Sequence, residues 1–320
     1  MRRSVLLSSL SLLILLVGCR LEHDGDPPPP AGARQLWPRG SAPVPSPADS
    51  RVLFTQEESP SGLYVLQDNS ATILNPSGPE SRTDYTWSPN AQRIAFSSPG
   101  QPGSAQAGIW ISDAGNLTSL HRIWDRGFHP RLYPAPEDLL VCAGPEDGTD
   151  DEGIWEMDFS GANRARISPI GVDPEVSPNG GKIAYLVTTG SSTGRTMIVY
   201  NRVSYVRDTV AVSVLRHEWL SDSQTLVYET IQNGGQEVNV VGPNDNLIGV
   251  TIAGGTSPSA MSDNLGFLFT AINGDRAAGI FRGAVGQSAV PISTFGTNAR
   301  HAGGNRAVAQ DSTTLIEILF

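Results

Sequence analysis

Apolar and polar residues alternate in short runs of about five positions along most of the chain, and turn-forming residues separate the runs. Examples are Arg93–Ser97, Gly108–Ser112 and Thr225–Glu229. Runs of this length with a period of two predict β-strands. The 320 residues include 34 Gly and 24 Pro, which interrupt helices and favour turns. The pattern therefore predicts an all-β fold and excludes a helical bundle.

One ten-residue pattern recurs seven times. Trp87–Phe96 (WSPNAQRIAF) and Val176–Tyr185 (VSPNGGKIAY) align without a gap. The other copies, in chain order, are Pro45–Phe54, Leu132–Val141, Trp219–Tyr228, Ala260–Phe269 and His301–Gln310. Successive copies begin 41 to 45 residues apart, and Pro130, Pro174 and Pro258 each fall two residues before a copy. This regular spacing indicates one structural unit repeated along the chain.

Each repeat contains four short predicted strands, which is typical of a β-propeller blade. Seven copies predict seven four-stranded blades, and six blades with one degenerate copy outside the ring are the alternative. After the last copy, the chain offers only Thr314–Leu319 as a clear further strand, so the last blade is one outer strand short. We expect the segment near Arg34–Trp37 to supply it, which would close the ring and remove an open sheet edge.

The repeat resembles the TolB-type propeller repeat of bacterial envelope proteins, which reads W-S-P-D-G-x-x-I-A-F, then a G-x-I-Y-V strand and D-x-x-G. The match is clear at Trp87–Phe96, Val176–Tyr185 and Gly153–Ile167 and degenerate at 132–141 and 301–310. It covers about residues 45–320 and implies a WD-like propeller in the cell envelope. TolB also carries an α/β domain before a six-bladed propeller, so we interpret this chain as a relative and not as TolB itself.

The N-terminus has the pattern of a targeting segment. Arg2 and Arg3 precede the apolar run Val5–Val17, which is too short to cross about 30 Å of hydrocarbon comfortably. The run ends in Leu16–Cys19 (LVGC), which resembles a bacterial lipobox. We expect residues 1–18 to be a lipoprotein signal peptide and Cys19 to carry the lipid. A cleaved signal with an incidental cysteine is the alternative.

Residues 19–32 are predicted to be a Pro-rich tether, and residues 33–320 the propeller domain. The residue after Cys19 is Arg20 and not the Asp that retains lipoproteins at the inner membrane in this family of signals. An outer-membrane anchor is therefore favoured, with the propeller in the periplasm or at the cell surface. Cys142 is the only other cysteine, so no internal disulfide is expected, and its apolar strand predicts a buried thiol.

The charge of the chain excludes one class of partner. It has 22 Lys and Arg against 32 Asp and Glu, a formal net charge of −10 at pH 7. Nucleic-acid binding needs a basic face for phosphate contacts, so no nucleic-acid partner is expected.

Candidate binding residues come from the inner strands of the predicted blades. Residues three and one positions before each copy share a strand face, which would line the central channel. These positions form a ring of polar groups of both signs. The candidates for a partner or ligand site are Asp84, His129, Asp173, Arg216, Glu218 and Arg300. A solvated lining held by ion pairs between blades is the other interpretation, and a binding face should make few such internal pairs.

No catalytic residue is assigned from the sequence. Gly190–Gly194 (GSSTG) matches G-x-S-x-G but lies in a polar loop and not at a strand–turn–helix elbow. The three histidines near the channel, His129, His217 and His301, lie at different positions of their repeats, so no metal site is expected. The acidic loop Glu146–Glu152 could hold Ca²⁺ but lacks EF-hand spacing, so we interpret it as solvated and expect no cofactor.

These features predict a non-enzymatic, lipid-anchored envelope β-propeller that acts as a protein–protein interaction or scaffold module. It would be monomeric, attached to the membrane through Cys19, and would bind an envelope protein that the sequence does not identify. The alternative is a propeller-fold enzyme of lyase or lactonase type, with a metal or polar site at the channel mouth.

Lipidation predicts a specific effect of Cys19→Ser, because the thiol is the group that accepts the lipid. The variant should move from the membrane pellet to the soluble or unprocessed fraction and should not incorporate labelled palmitate. Cys142→Ala is the matched control, and it should still sediment with membranes and take up label. A Cys19→Ser protein that is fully processed and still sediments with membranes would show that the anchor is elsewhere.

Overall fold

The structure is a computed structural model that describes part of the chain. Cys19, residues 146–151 of the acidic loop and residues 190–193 of the GSSTG segment lie outside that part. The described residues are 32–56, 61–74, 84–98, 107–145, 152–188, 194–232, 234–242, 247–262, 266–271, 279–285, 287–312 and 314–320.

Within these ranges the chain forms β-strands and no helices. The strands of the N-terminal half are β1 (Ala33–Trp37), β2 (Ser41–Pro45), β3 (Val52–Gln56), β4 (Gly62–Gln67), β5 (Ser70–Ile73), β6 (Tyr85–Trp87), β7 (Arg93–Ser98), β8 (Gly108–Asp113), β9 (Asn116–Trp124), β10 (Phe128–Leu132), β11 (Leu139–Pro145), β12 (Glu152–Asp158) and β13 (Ala165–Ser168). Those of the C-terminal half are β14 (Val172–Val176), β15 (Lys182–Val187), β16 (Arg195–Asn201), β17 (Arg207–Trp219), β18 (Leu226–Gln232), β19 (Gly235–Val241), β20 (Leu247–Ala253), β21 (Gly255–Ala260), β22 (Gly266–Ala271), β23 (Gly279–Ala284), β24 (Val290–Ser293), β25 (Thr297–His301), β26 (Arg306–Asp311) and β27 (Thr314–Leu319). Among the described residues, no helix is long and apolar enough to cross a membrane.

The strands form antiparallel sheets in which neighbours along the chain pair with each other. Four sheets have four consecutive strands each: β2–β5, β6–β9, β10–β13 and β21–β24. A larger sheet runs in order from β14 to β20. Its 13-residue strand β17 pairs with β16 through Arg207–Val214 and with β18 through Val214–Trp219. One continuous strand is therefore the outer strand of one four-stranded unit and the inner strand of the next.

The remaining sheet joins the two ends of the described chain. Its order is β1-β27-β26-β25, and Ala33 lies opposite Ile318 in the ladder between β1 and β27. The carboxylate of Glu317, which is 8% exposed, accepts contacts from Arg34 at 2.9 Å and from Arg306 at 2.5 Å. Residues 33–37 therefore form the fourth strand of the sheet that contains the C-terminal strands.

The hydrophobic core is divided into clusters that each lie between two neighbouring four-stranded units. Leu53 and Leu63 of the β2–β5 sheet pack with Trp87 and Phe96 of the β6–β9 sheet, for example. The same arrangement is found between every later pair of neighbouring units. A further cluster joins Leu315 of β27 to Phe54 of β3, so the last unit packs on the first. Each sheet in the described part of the chain thus buries apolar side chains against two others.

Cys142 belongs to one of these clusters, with Ile109 and Leu140. Its side chain is fully buried, and burial raises the pKa of the thiol well above its usual value. The prediction of a buried cysteine is confirmed, and the thiol acts there as a small apolar group.

The recurrent Trp and Ser-Pro-Asn positions of the repeat have defined contacts. The indole Nε1 of Trp87 donates to the carbonyl oxygen of Val44 at 2.9 Å. Trp219 makes the same bond to Glu175 at 3.1 Å, again to the residue just before the preceding copy. Ser88 Oγ accepts the backbone N–H of Arg93 at 2.9 Å and so stabilises the turn. The repeat pattern therefore encodes both the first turn of each unit and its connection to the previous unit.

The packing of Trp37 predicts the effect of Trp37→Ala. The side chain is half-buried, its Nε1 donates to Gln56 Oε1 at 3.1 Å, and its ring lies 5.9 Å from that of Phe54. Because the ring is only half-buried, the expected loss is about 1–3 kcal/mol of unfolding free energy, below that for a fully buried aromatic side chain. Thermal melts should show it. Val203→Ala, at a side chain that is 84% exposed, is the control and should melt as the wild type does. Equal melting of both variants would mean that β1 adds no stability.

Candidate functional site

The inner strands of the units converge on a central cavity of about 480 Å³. Seven chain segments contribute to its wall, one from each repeat. Its lining residues are Ala42, Pro43, Val44, Asp84, Arg131, Asp173, Glu175, Leu215, Arg216, His217, Glu218, Pro258, Asn298 and Arg300. The wall therefore carries charges of both signs at the place where the sequence predicted a channel lining.

A bulge at the start of most inner strands orients these side chains. The residue three positions before the repeat has a left-handed backbone in five units, with φ values between 49° and 51° at Ala42, His129, Asp173, Ser257 and Asn298. The ladder shifts register at each of these positions. Bulges insert an unpaired residue and turn the strand locally, often beside functional sites. Sequence reasoning missed the bulges, and the recurrent proline one residue later is the signal that could have indicated them.

His129 is held between two carboxylates. Its Nε2 lies 3.1 Å from Asp84 Oδ2 and its Nδ1 lies 2.7 Å from Asp173 Oδ1. Burial by itself lowers the pKa of His129, but the hydrogen bonds and charges of Asp173 and Asp84 outweigh it and raise the pKa to about 9. Arg195 approaches the other oxygen of Asp173 at 2.9 Å. Burial raises the pKa of Asp173, but its bond to His129 and these positive charges lower the pKa overall.

Two arginine–carboxylate pairs lie on the next residues of the ring. Arg131 Nε donates to Glu175 Oε1 at 2.6 Å, and Arg300 pairs closely with Glu218 Oε1. The second oxygen of Glu218 accepts the backbone N–H of Ala260 at 2.8 Å. These pairs connect inner strands of different units, so they fix the positions of the strands around the cavity. They also occupy one oxygen of Glu175 and both oxygens of Glu218.

Arg216 differs from the other charged residues of the cavity. Its side chain is 56% exposed, and its Nε lies 3.5 Å from Glu229, whose own side chain is 1% exposed. Its Nη1 makes a contact of 3.4 Å to Ser257 Oγ. These distances are longer than those of a charge-assisted hydrogen bond. Arg216 is therefore the charged group that the site holds least firmly.

His217 also lines the cavity, although it was not among the predicted site residues. Its side chain is 5% exposed, and neither ring nitrogen makes a well-formed hydrogen bond with the described residues. Burial lowers its pKa, although Glu175 and Asp173 act in the opposite direction. The two histidines of the cavity therefore differ in protonation near neutral pH: His129 is cationic and His217 is neutral.

The six predicted residues form three groups. Five of them line the cavity, and His129 lies between the carboxylates of Asp84 and Asp173. Asp84, His129 and Asp173 form one cluster, Glu218 and Arg300 form a pair, and Arg216 stands at the exposed edge. A binding face was expected to make few internal pairs, and five of the six make close ones. In the described ranges, no three His, Cys, Asp or Glu side chains are placed to hold a metal ion.

No family model and no curated protein matches the sequence. Solved structures match the fold at low identity. An oligogalacturonate lyase in complex with manganese is 11% identical, with a TM-score of 0.66 over 90% of both chains. TolB from Acinetobacter baumannii is 14% identical, with a TM-score of 0.53 over 64% of this chain, which spans about half of that protein (52%). A putative TolB from Agrobacterium tumefaciens is 16% identical, with a TM-score of 0.53 over 69% of this chain and 83% of that one. The chain therefore has a TolB-like β-propeller fold.

The charge cluster around His129 predicts a pH dependence of stability. Its pKa rises from 6.5 to about 9 on folding, so its contribution is complete below pH 6.5 and is lost as pH rises toward 9. The wild type should lose roughly 1–3 kcal/mol of unfolding free energy over that interval. His129→Gln should be less stable at pH 6.5 and should lose less on going to pH 9. Denaturant unfolding at several pH values measures both.

His121→Gln is the control, because His121 lies on the exposed strand β9. Its pH profile should follow that of the wild type. The Cys142 thiol also ionises in the unfolded chain as the pH rises. This affects the stability of the wild type, His129→Gln and His121→Gln equally, so it cancels when their pH profiles are compared. Parallel profiles for His129→Gln and the wild type would exclude a charged His129 in the folded protein.

Proposed function

We propose that the protein is a seven-bladed β-propeller whose last blade is completed by β1. Three observations support this: the shared strand β17 divides the long sheet into two four-stranded units, β1 pairs with β27, and apolar clusters join each unit to the next, including the last to the first. The domain would begin near residue 33, directly after the predicted tether of residues 19–32.

The proposed role is that of a lipid-anchored envelope protein that binds a partner protein at the channel mouth without catalysing a reaction. The observation that carries the proposal is the charged cavity, to which all seven repeats contribute and in which Arg216 remains accessible. Ion pairs between blades hold the rest of the wall rigid, and a preorganised surface loses little conformational entropy on binding. Charges of both signs favour specificity for a complementary partner.

The location is proposed from the N-terminal pattern. A lipid on Cys19 would hold the protein at the membrane, with the outer membrane favoured by Arg20. Roughly a dozen tether residues at about 3.1 Å each in an extended proline-rich conformation would reach about 40 Å. This length would place the propeller clear of the bilayer, in the periplasm or at the cell surface, with the channel mouth free to bind.

A propeller-fold enzyme is the second candidate. It is favoured by the histidine between two carboxylates in the cavity and by the match to an oligogalacturonate lyase over most of both chains. Manganese does not fit the described residues here, because both nitrogens of His129 are taken by Asp84 and Asp173 and no group of three ligands converges. An enzyme in this fold would therefore have to use the polar site.

Site-specific photo-crosslinking tests the interaction role. Replacing Arg216 with a photoreactive phenylalanine analogue in the bacterial host should give a discrete protein adduct, because this side chain lies at the accessible mouth. The same analogue at Val203, which is 84% exposed, is the control and should give no adduct of that mass.

The same experiment distinguishes the two candidates. An adduct at 216 that is absent at 203 supports a protein partner. Absence of an adduct at 216, together with turnover of oligogalacturonate that is lost in His129→Gln, would overturn the interaction role in favour of the enzyme. If neither an adduct at position 216 nor turnover of oligogalacturonate is observed, the cavity has neither the interaction role nor the enzymatic role.

A further inference from the structure

Three guanidinium groups, from Arg131, Arg216 and Arg300, line the same cavity. Burial and the nearby charge of Arg216 lower the pKa of Arg300 to about 10, with Arg131 contributing in the same direction, although Glu175 opposes them. Carboxylates of the wall pair with Arg131 and Arg300, whereas Arg216 has only the longer contacts to Glu229 and Ser257. A negative group placed beside Arg216 and Arg300 would be stabilised by both.

The carboxylates near Arg216 already have other partners. Glu229 accepts the amide of Gln236 on Oε1 at 3.0 Å and the backbone N–H of Ser257 on Oε2 at 2.8 Å. Arg216 reaches the second of these oxygens only at 3.5 Å. Glu218, the nearest carboxylate on the same strand, is engaged by Arg300 and Ala260. Arg216, which is 56% exposed, is thus the guanidinium of this cavity that is most accessible to a carboxylate from outside the protein.

A second cavity of about 550 Å³ adjoins the channel mouth. The two cavities share Asn298 on their walls, and Ser257, which contacts Arg216, lines the second. The second wall contains threonines, glycines and one aromatic ring: Thr256, Thr270, Gly279, Phe295, Gly296 and Thr297. Small hydroxyl side chains and exposed backbone suit hydrogen bonding to the main chain of an extended peptide. A single aromatic ring offers little stacking surface for a chain of sugar rings.

We infer that the channel mouth is a carboxylate-binding site, in which Arg216, supported by Arg300, receives an acidic side chain or C-terminal carboxylate of an extended polypeptide. This inference rests on the proposed function, because it names the chemistry by which the partner would be recognised. A guanidinium binds a carboxylate through two parallel N–H···O bonds, which fixes its direction as well as its position. The adjoining cavity would hold the neighbouring residues of the partner.

Isothermal titration calorimetry with the mature chain tests the site. The probes are acetyl-Gly-Glu-Gly-Glu-Gly-amide, its Gln counterpart, acetyl-pentaglycine with a free C-terminus, and trigalacturonate. We expect at least one carboxylate peptide to bind and the Gln peptide not to bind. Arg216→Gln should weaken binding by about tenfold or more, and Arg216→Lys, which keeps the charge but loses the planar fork, by less. Binding should weaken as NaCl is raised.

Arg282→Gln is the matched control, because Arg282 lies on β23 outside the lining of either cavity and should bind as the wild type does. Thermal melts of both variants should match the wild type, since Arg216 is more than half exposed. Equal binding of the Glu and Gln peptides, or equal loss in Arg216→Gln and Arg282→Gln, would overturn the inference.

The remaining outcomes separate this inference from the proposed function. Binding of trigalacturonate alone, lost in Arg216→Gln, would contradict the polypeptide assignment and the interaction role together, while retaining a carboxylate site. Failure of every carboxylate probe, combined with a protein adduct at position 216, would overturn the inference and leave the interaction role in place.

Discussion

Burial of apolar side chains between neighbouring sheets is the constraint on which the rest of the structure depends. Each four-stranded unit is too small to bury its own faces, and the described clusters all combine residues of two units. Burial therefore requires the units to pack side by side, and this packing brings the inner strands together around the cavity. The charged residues of the cavity are close to each other because of contacts made farther out, by residues such as Phe54, Phe96 and Phe267.

The electrostatics of the cavity follow from that packing. His129 and His217 both lie near Asp173, yet their pKa values move in opposite directions. The carboxylates of Asp84 and Asp173 lie 3.1 and 2.7 Å from the two ring nitrogens of His129, whereas burial dominates at His217. Hydrogen bonding also distinguishes the arginines. Arg131 and Arg300 pair closely with carboxylates and stabilise the wall. The carboxylate next to Arg216 already accepts two other hydrogen bonds, so Arg216 stays available. The charged groups that have close hydrogen-bond partners are thus structural, and the one that has only long contacts is accessible.

The repeat predicted the all-β fold and the positions of most inner strands, because turn chemistry and strand alternation are local properties of the sequence. It also located five residues that line one cavity and His129, which contacts two of them. Sequence reasoning did not predict the bulges at His129 and Asp173, although the proline that follows each of them is a local signal. Nor did it predict the pairing of Glu229 with Ser257, because that contact depends on how two units approach each other. Side-chain partners across units require the tertiary packing.

The pairing of β1 with β27 has a consequence for biosynthesis. Arg34 and Glu317 are 283 positions apart, so the ladder between these strands cannot form until nearly the whole chain has been made. Closing a loop of that length costs entropy that local hairpins do not, and contacts of such separation generally form slowly. Before β27 is made, β1 has no partner strand in this sheet, and an unpaired strand edge is the feature of sheets that promotes aggregation. The first strand of the described chain is therefore the last that can pair, and it covers the outer edge of the sheet that is completed last.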